Sequence, residues 1–181
     1  VLNTARGFFV AIWYNGSMII IVSDGSSRGN PGPGGYGTIV VHDDTVTEFA
    51  GYEKKTTNNR MEIMGVIAGL DFVLSRKLGD SVRVYSDSAY VLGGIEAWLK
   101  NWKKNGWKTA NKKPVLNQDL WEVLDGQIEK LKKVECVKVK GHAGVMLNER
   151  ADYLATAYAD GLDIHLYHGD KEVYKKMLKP Q

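Results

Sequence analysis

Ile19-Ile20-Ile21-Val22-Ser23-Asp24 is an aliphatic run closed by a small hydroxyl and a carboxylate. It predicts a strand that holds a charge at its rim. The ending recurs in Val82-Arg83-Val84-Tyr85-Ser86-Asp87. If a meander occupies one side of the first strand and later strands add on the other, the two Ser-Asp strands are parallel neighbours. Both carboxylates then face one crevice, the place where open α/β sheets bind ligands.

The intervening and flanking sequence fits that arrangement. After the turn-rich stretch from Asp24 to Gly35, strand signals run over Gly37–His42 and Val46–Tyr52, separated by Asp43-Asp44, as in an antiparallel meander. From Asn58 to about Lys77, Met61, Met64, Val66, Ile67, Leu70, Val73 and Leu74 recur at the helical period, with Thr57 or Asn58 as cap. A strand over Ser81–Ser86 follows, then a helical, basic region over Ser88–Asn111. Next come a helix over Asn117–Lys132, a strand over Val134–Val139, the loop Gly141-His142-Ala143-Gly144 and a helix from Asn148 to about Tyr158. The order βββαβααβα contains no internal repeat. It predicts an α/β fold with a mixed five-stranded sheet, three strands antiparallel and two parallel, and helices on both faces.

The chain has 181 residues, 44% hydrophobic and 25% charged, enough for one full core. We assign that domain to residues 18–161, with an N-terminal extension at 1–17 and a C-terminal tail at 162–181. A lone cysteine, Cys136, permits no internal disulfide and no multi-cysteine zinc site, and points to a reducing, cytoplasmic setting. No run approaches the ~18 apolar residues of a membrane span. The apolar run Gly7–Tyr14 after Arg6 imitates a signal peptide only loosely, having one basic residue and no small-x-small cleavage site. Net charge is only +3, yet residues 96–113 carry six lysines against a single acid, Glu96, which makes a local basic patch.

Gly32-Pro33-Gly34-Gly35-Tyr36-Gly37 satisfies G-x-G-x-x-G literally. A dinucleotide site needs a helix after it, whereas here Pro33 interrupts and β-branched residues follow. The acidic residues are more telling. Singly, Asp24 and Asp87 read as turn formers, Glu62 as a helix-dipole carboxylate and Asp152 as a solvated helix residue. Gathered, four carboxylates repel and are tolerable mainly around cations. Oxygen-only donors suit Mg²⁺ or Mn²⁺ rather than zinc, and two such ions about 3.5–4 Å apart would serve a phosphoryl displacement.

Five segments carry a resemblance. Ser23-Asp24-Gly25, Gly29–Gly37, Thr56-Thr57-Asn58-Asn59-Arg60-Met61-Glu62, Ser86-Asp87-Ser88 and Lys140–Gly144 through Asn148–Asp152 resemble, in order, the motif series of bacterial type 1 ribonuclease H. The likeness covers about Met18 to Gly161. It implies Asp24, Glu62, Asp87 and Asp152 as the metal-binding catalytic set, and cleavage of RNA in RNA·DNA hybrids to 5′-phosphate and 3′-hydroxyl ends. It also implies that His142, otherwise a solvated loop histidine, assists proton transfer to the leaving group or product release.

The resemblance extends to substrate. Asn30, Asn58 and Asn59, with the Gly25-Ser26 backbone, occupy the positions that meet 2′-hydroxyls in the shallow minor groove, and Thr57 that of a DNA-phosphate contact. Asn58 and Asn59 also read as plain caps, and both roles can coexist. Trp98 and Trp102, with Lys103 and Lys104, match the basic protrusion that grips the DNA strand, although tryptophans at helical spacing usually pack in a core. Ala89 departs from the family's usual glutamine, which removes one polar group from the substrate-facing surface. His165 and His168 read as surface residues, and the lysine-bearing tail either docks on the body or touches nucleic acid. We expect a monomer with no small-molecule cofactor and no membrane partner. Two rivals remain: another nuclease of this fold, which would lack the protrusion, and a hybrid-binding module without catalysis, which would have a broken acidic set.

Overall fold

Strand β1 (Ile19–Ser27) is hydrogen-bonded on both edges, antiparallel to β2 (Gly32–His42) and parallel to β4 (Ser81–Ser86). The structure, a computed structural model, describes residues 18–139 and 146–178. Strand β3 (Thr45–Thr56) completes the meander and β5 (Lys133–Lys138) pairs in parallel with β4. A short strand β6 (His168–Asp170) adds antiparallel to β3, giving the order β5-β4-β1-β2-β3-β6.

Six strands replace the five expected from sequence, because three residues, His-Gly-Asp, are too few to show a period-two pattern. The glycine-rich stretch also differs from expectation. Instead of a long turn, β1 and β2 stay paired from Asp24↔Gly37 to Ser27↔Gly34. Gly29, at φ 122°, serves the chain reversal between them, whereas Gly25, Gly34 and Gly35 lie within the paired strands, where the missing side chain allows close approach.

Alternation along β1 separates two cores. Ile19 and Ile21 join Ile63, Val66 and Leu70 of α1 (Asn58–Ser75) and Trp121 and Leu124 of α4 (Gln118–Ile128). Ile20 and Val22 join Leu147 and Ala151 of α5 (Met146–Ala159) and Tyr174 of α6 (Lys171–Met177). Both faces of β1 are therefore dry, which accounts for its unbroken aliphatic run. Between β4 and α4 the helical region is shorter than expected. It comprises α2 (Ala89–Gly93), a π-helical turn (Gly94–Trp98) and α3 (Leu99–Lys104). The chain beyond it is irregular, held by a bridge between Lys108 and Pro114 and by backbone bonds from Thr109 N–H to the Lys113 carbonyl at 2.8 Å and from Val115 N–H to the Trp107 carbonyl at 3.0 Å.

The C-terminal segment docks on the body. Tyr174 is fully buried in the second core, and Lys171 bonds the carbonyl of Asp43 at 2.7 Å. The predicted extension at 1–17 lies outside the described residues. Among those described, no helix is long and apolar enough to cross a membrane.

Candidate active site

The parallel pairing of β1 with β4 ends at Val22↔Tyr85. Asp24 and Asp87 each stand two residues farther on, so the two carboxylates sit level where the strands part. Asp24 shares the parity of Ile20 and Val22 and is oriented locally by the Gly25 N–H, which donates to its Oδ1 at 2.7 Å. Glu62 arrives from the first turns of α1. Thr57 caps that helix, its Oγ1 accepting from the Arg60 N–H at 3.4 Å, and Thr38 Oγ1 donates to the Gly65 carbonyl at 2.7 Å. A β-carbon at Gly25 would collide with the backbone of Met61 and Glu62. Its absence lets the helix lie directly on the strand.

Asp152 is delivered from the other face. Gly35 and Gly37 present bare backbone on which Ala151, Ala155 and Ala159 of α5 rest, and a β-carbon at either glycine would strike that helix. Asp24, Glu62 and Asp87 each place a carboxylate oxygen within 4.8 Å of the others. Glu62 is buried, and its Oε2 has no hydrogen-bond partner among the described residues. Burial, and after it the charges of Asp24, Asp87 and Asp152, push its carboxyl up to about 9. Asp152 thus acts electrostatically on Glu62. An oxygen-only set, buried at Asp24 and Glu62 and half-buried at Asp87, with an unbonded oxygen and self-repelling charge fits a hard divalent cation.

Residues 16–160 match the family model for RNase H. The chain belongs to the ribonuclease H family. It is 52% identical over 147 residues to a ribonuclease H of Rhodopseudomonas palustris (strain BisB5), covering 81% of this chain and 93% of that one. It is 51% identical over 135 residues to a ribonuclease H of Dechloromonas aromatica (strain RCB), covering 75% and 88%. Among solved structures it superposes on LC9-RNase H1, a type 1 RNase H with the type 2 active-site motif, with TM-score 0.75 and 28% identity over 89% and 82% of the two chains. LC11-RNase H1 in complex with an RNA/DNA hybrid gives TM-score 0.59 and 28% identity over 79% and 97%.

In this ribonuclease H family member the remaining expected residues fall into four groups. Gly25 and Ser26 follow Asp24 on β1, Asn30 stands in the following loop, and Thr57, Asn58 and Asn59 open the helix that carries Glu62, with Asn30, Asn58 and Asn59 exposed. The aromatic pair divides. Trp98 is 39% exposed, whereas Trp102 packs against the first core with its ring 5.5 Å from Trp121. The lysines divide too. Lys103 is held by Asp125 at 2.6 Å and Glu129 at 2.5 Å, while Lys104 is exposed. His142 lies outside the described residues.

Three features escaped sequence reasoning. The Tyr90 hydroxyl accepts from Trp121 Nε1 at 3.1 Å and Asn117 Nδ2 at 3.2 Å and donates to the Leu116 carbonyl at 3.2 Å, joining the helix after Asp87 to the start of α4. Arg60 makes a bidentate pair with Asp119 at 2.9 and 2.7 Å, which ties the first turn of α1 to that of α4. Glu48 is buried against Arg150. Burial alone would raise its carboxyl, but bonds from Arg150, then Tyr174 and the Tyr167 N–H, hold it below the ordinary range. A signal for Glu48 existed: it shares the inward parity of Val46 in β3.

Proposed function

We propose that this protein hydrolyses the RNA strand of RNA·DNA hybrids to 5′-phosphate and 3′-hydroxyl ends, with Asp24, Glu62, Asp87 and Asp152 holding two Mg²⁺ ions, for which Mn²⁺ substitutes. The observation that carries the reading is the convergence of Asp24, Glu62 and Asp87 within 4.8 Å, with Glu62 raised by the charges of Asp24, Asp87 and Asp152 as well as by burial. When bound, such cations supply a lowered water pKa and stabilisation of charge on the attacking and leaving oxygens. The protein's own part is to hold the scissile phosphate level with Asp24 and Asp87. His142, proposed from sequence alone, protonates the leaving 3′-oxygen.

Selection of RNA falls to the exposed amides. Asn30, Asn58 and Asn59, with the Gly25 and Ser26 backbone, reach 2′-hydroxyls across the minor groove, and Thr57 meets a DNA phosphate. The DNA strand lies on the protrusion, where Trp98 stacks on sugars and Lys104 neutralises phosphate. Trp102 backs the Trp98 ring at 5.6 Å, and Lys103 contributes by exchanging its carboxylates for phosphate. The reading extends to a monomer in the cytoplasm, where the single cysteine needs no oxidising environment.

The test is cleavage of a labelled RNA·DNA hybrid beside duplex DNA and duplex RNA, with Mg²⁺ or with chelator, by the wild type and Asp24→Asn. Hybrid-specific, metal-dependent cutting abolished in the variant is expected. Cutting under chelator, or full activity of the variant, overturns the mechanism.

A further inference from the structure

The carboxylate of Glu48 in β3 is enclosed, with side-chain exposure 0%, and four donors converge on it. Arg150 of α5 supplies two, Nε at 2.7 Å and Nη2 at 2.9 Å. The C-terminal segment supplies the other two, the Tyr167 backbone N–H at 2.9 Å and the Tyr174 hydroxyl at 2.5 Å. The Glu48 N–H donates in turn to the Tyr167 carbonyl at 2.8 Å. The family match ends at residue 160, so two of these four donors come from chain that lies outside it.

Arg150 and Asp152 are two residues apart on one turn of α5, with Ala151 between them. At about 100° per residue they project from opposite flanks of that turn, and Ala151 meets the sheet. The seam of Ala151, Ala155 and Ala159 on Gly35 and Gly37 sets how closely the helix approaches. Packing of the buried Leu147 and Leu154 limits a roll about the helix axis, and a bidentate arginine–carboxylate pair adds to that resistance, because two parallel bonds fix direction as well as distance. A roll that loosened Arg150 would swing Asp152 away from Asp24 and Glu62.

We propose that Glu48 is a positioning residue for Asp152, and that Tyr167 and Tyr174 make the C-terminal segment part of the device that sets the rotation of α5. The proposal rests on the reading of Asp152 as a member of the acidic set. Glu48 touches neither substrate nor metal; it acts through Arg150.

A double-mutant cycle between Glu48→Gln and Asp152→Asn tests it, with hybrid cleavage followed in single turnover at saturating enzyme and well below the melting temperature. The expected result is a loss of about 10-fold in the bound chemical rate for Glu48→Gln, within the range for residues that support a metal-site ligand. The concentration for half-saturation stays within about twofold. In the Asp152→Asn background the same change costs less than about twofold, because residues acting as a unit are non-additive. Tyr174→Phe, which keeps the Arg150 pair, shows a smaller loss with the same non-additivity and replaces Glu48→Gln in the cycle if that variant does not fold. Equal losses in both backgrounds, or weaker binding with unchanged chemistry, overturn the positioning role alone. A wild-type rate for Asp152→Asn overturns the reading of Asp152 itself.

Discussion

The backbone of Gly25 in β1 lies directly against that of Glu62 in α1, with no room for a side chain between them. One methyl group at this position therefore has to move the helix that carries a central carboxylate. Gly25→Ala is expected to destabilise the protein by about 1–3 kcal/mol, the usual range for overpacking. Its effect on cleavage is expected on the order of 100-fold, about 2.7 kcal/mol, since a displacement of about 1 Å suffices for that. Urea denaturation and kcat on a hybrid, measured side by side well below the melting temperature, check both effects; an unchanged kcat would show that α1 yields without moving Glu62.

Glu62 gives the metal-free protein a pH dependence of definite sign. Its carboxyl is raised from the ordinary 4.5 to about 9, so the folded state holds a proton that the unfolded state has released. The stabilising contribution is complete below about pH 4.5 and is lost as pH rises through about 9, amounting to a few kcal/mol at most. In chelator, the wild type should lose stability between about pH 4.5 and 9 while Glu62→Gln stays flatter, by roughly the same few kcal/mol. Added Mg²⁺ should raise the melting temperature of the wild type and release protons, with a smaller effect in the variant. Thermal melts across pH and calorimetry in two buffers of different ionisation enthalpy measure both.

Neighbouring lysines of the protrusion should differ in their salt response. Lys104 is exposed, whereas the Lys103 ammonium is held by Asp125 and Glu129 and pushed up to about 12 by those bonds. Lys104→Ala is expected to reduce the slope of log affinity against log salt by about one for each phosphate left without its cation. Lys103→Ala should reduce it less. Fluorescence-anisotropy titrations of a hybrid over a range of salt compare the two, and a larger change for Lys103 would mean that its carboxylates are given up readily.

The aromatic residues beneath that surface separate binding from folding. Trp121 is fully buried, and Trp121→Ala should cost about 3–5 kcal/mol of stability. Tyr90→Phe removes the acceptor of both Trp121 Nε1 and Asn117 Nδ2 and should cost about 1–3 kcal/mol. Trp98→Ala should weaken hybrid affinity and leave the melting temperature nearly unchanged. Equilibrium denaturation and binding titrations on the three variants check the division.

How far the sequence could be read depended on whether a residue's role was local. The paired Ser-Asp endings disclosed the parallel strands and the crevice, because strand ends and chain parity are short-range properties. Thr57 as cap and the α1 core followed from period and hydrogen-bonding chemistry. Lys103 and Lys104 are indistinguishable in sequence, since what separates them is the packing of α3 against Asp125 and Glu129. The glycines of β1 and β2 resembled a turn because a turn and a close helix approach require the same missing side chain. The docking of the C-terminal segment was hidden because its partner, Glu48, lies more than a hundred residues away.

The level placement of Asp24 and Asp87 also has a meaning in time. The chain is synthesised from its N-terminus, and neither aspartate has its counterpart until β4 has been made and has found β1 across an intervening helix. Asp152 follows only after several further elements. A nascent or prematurely terminated chain therefore carries individual carboxylates and no assembled centre.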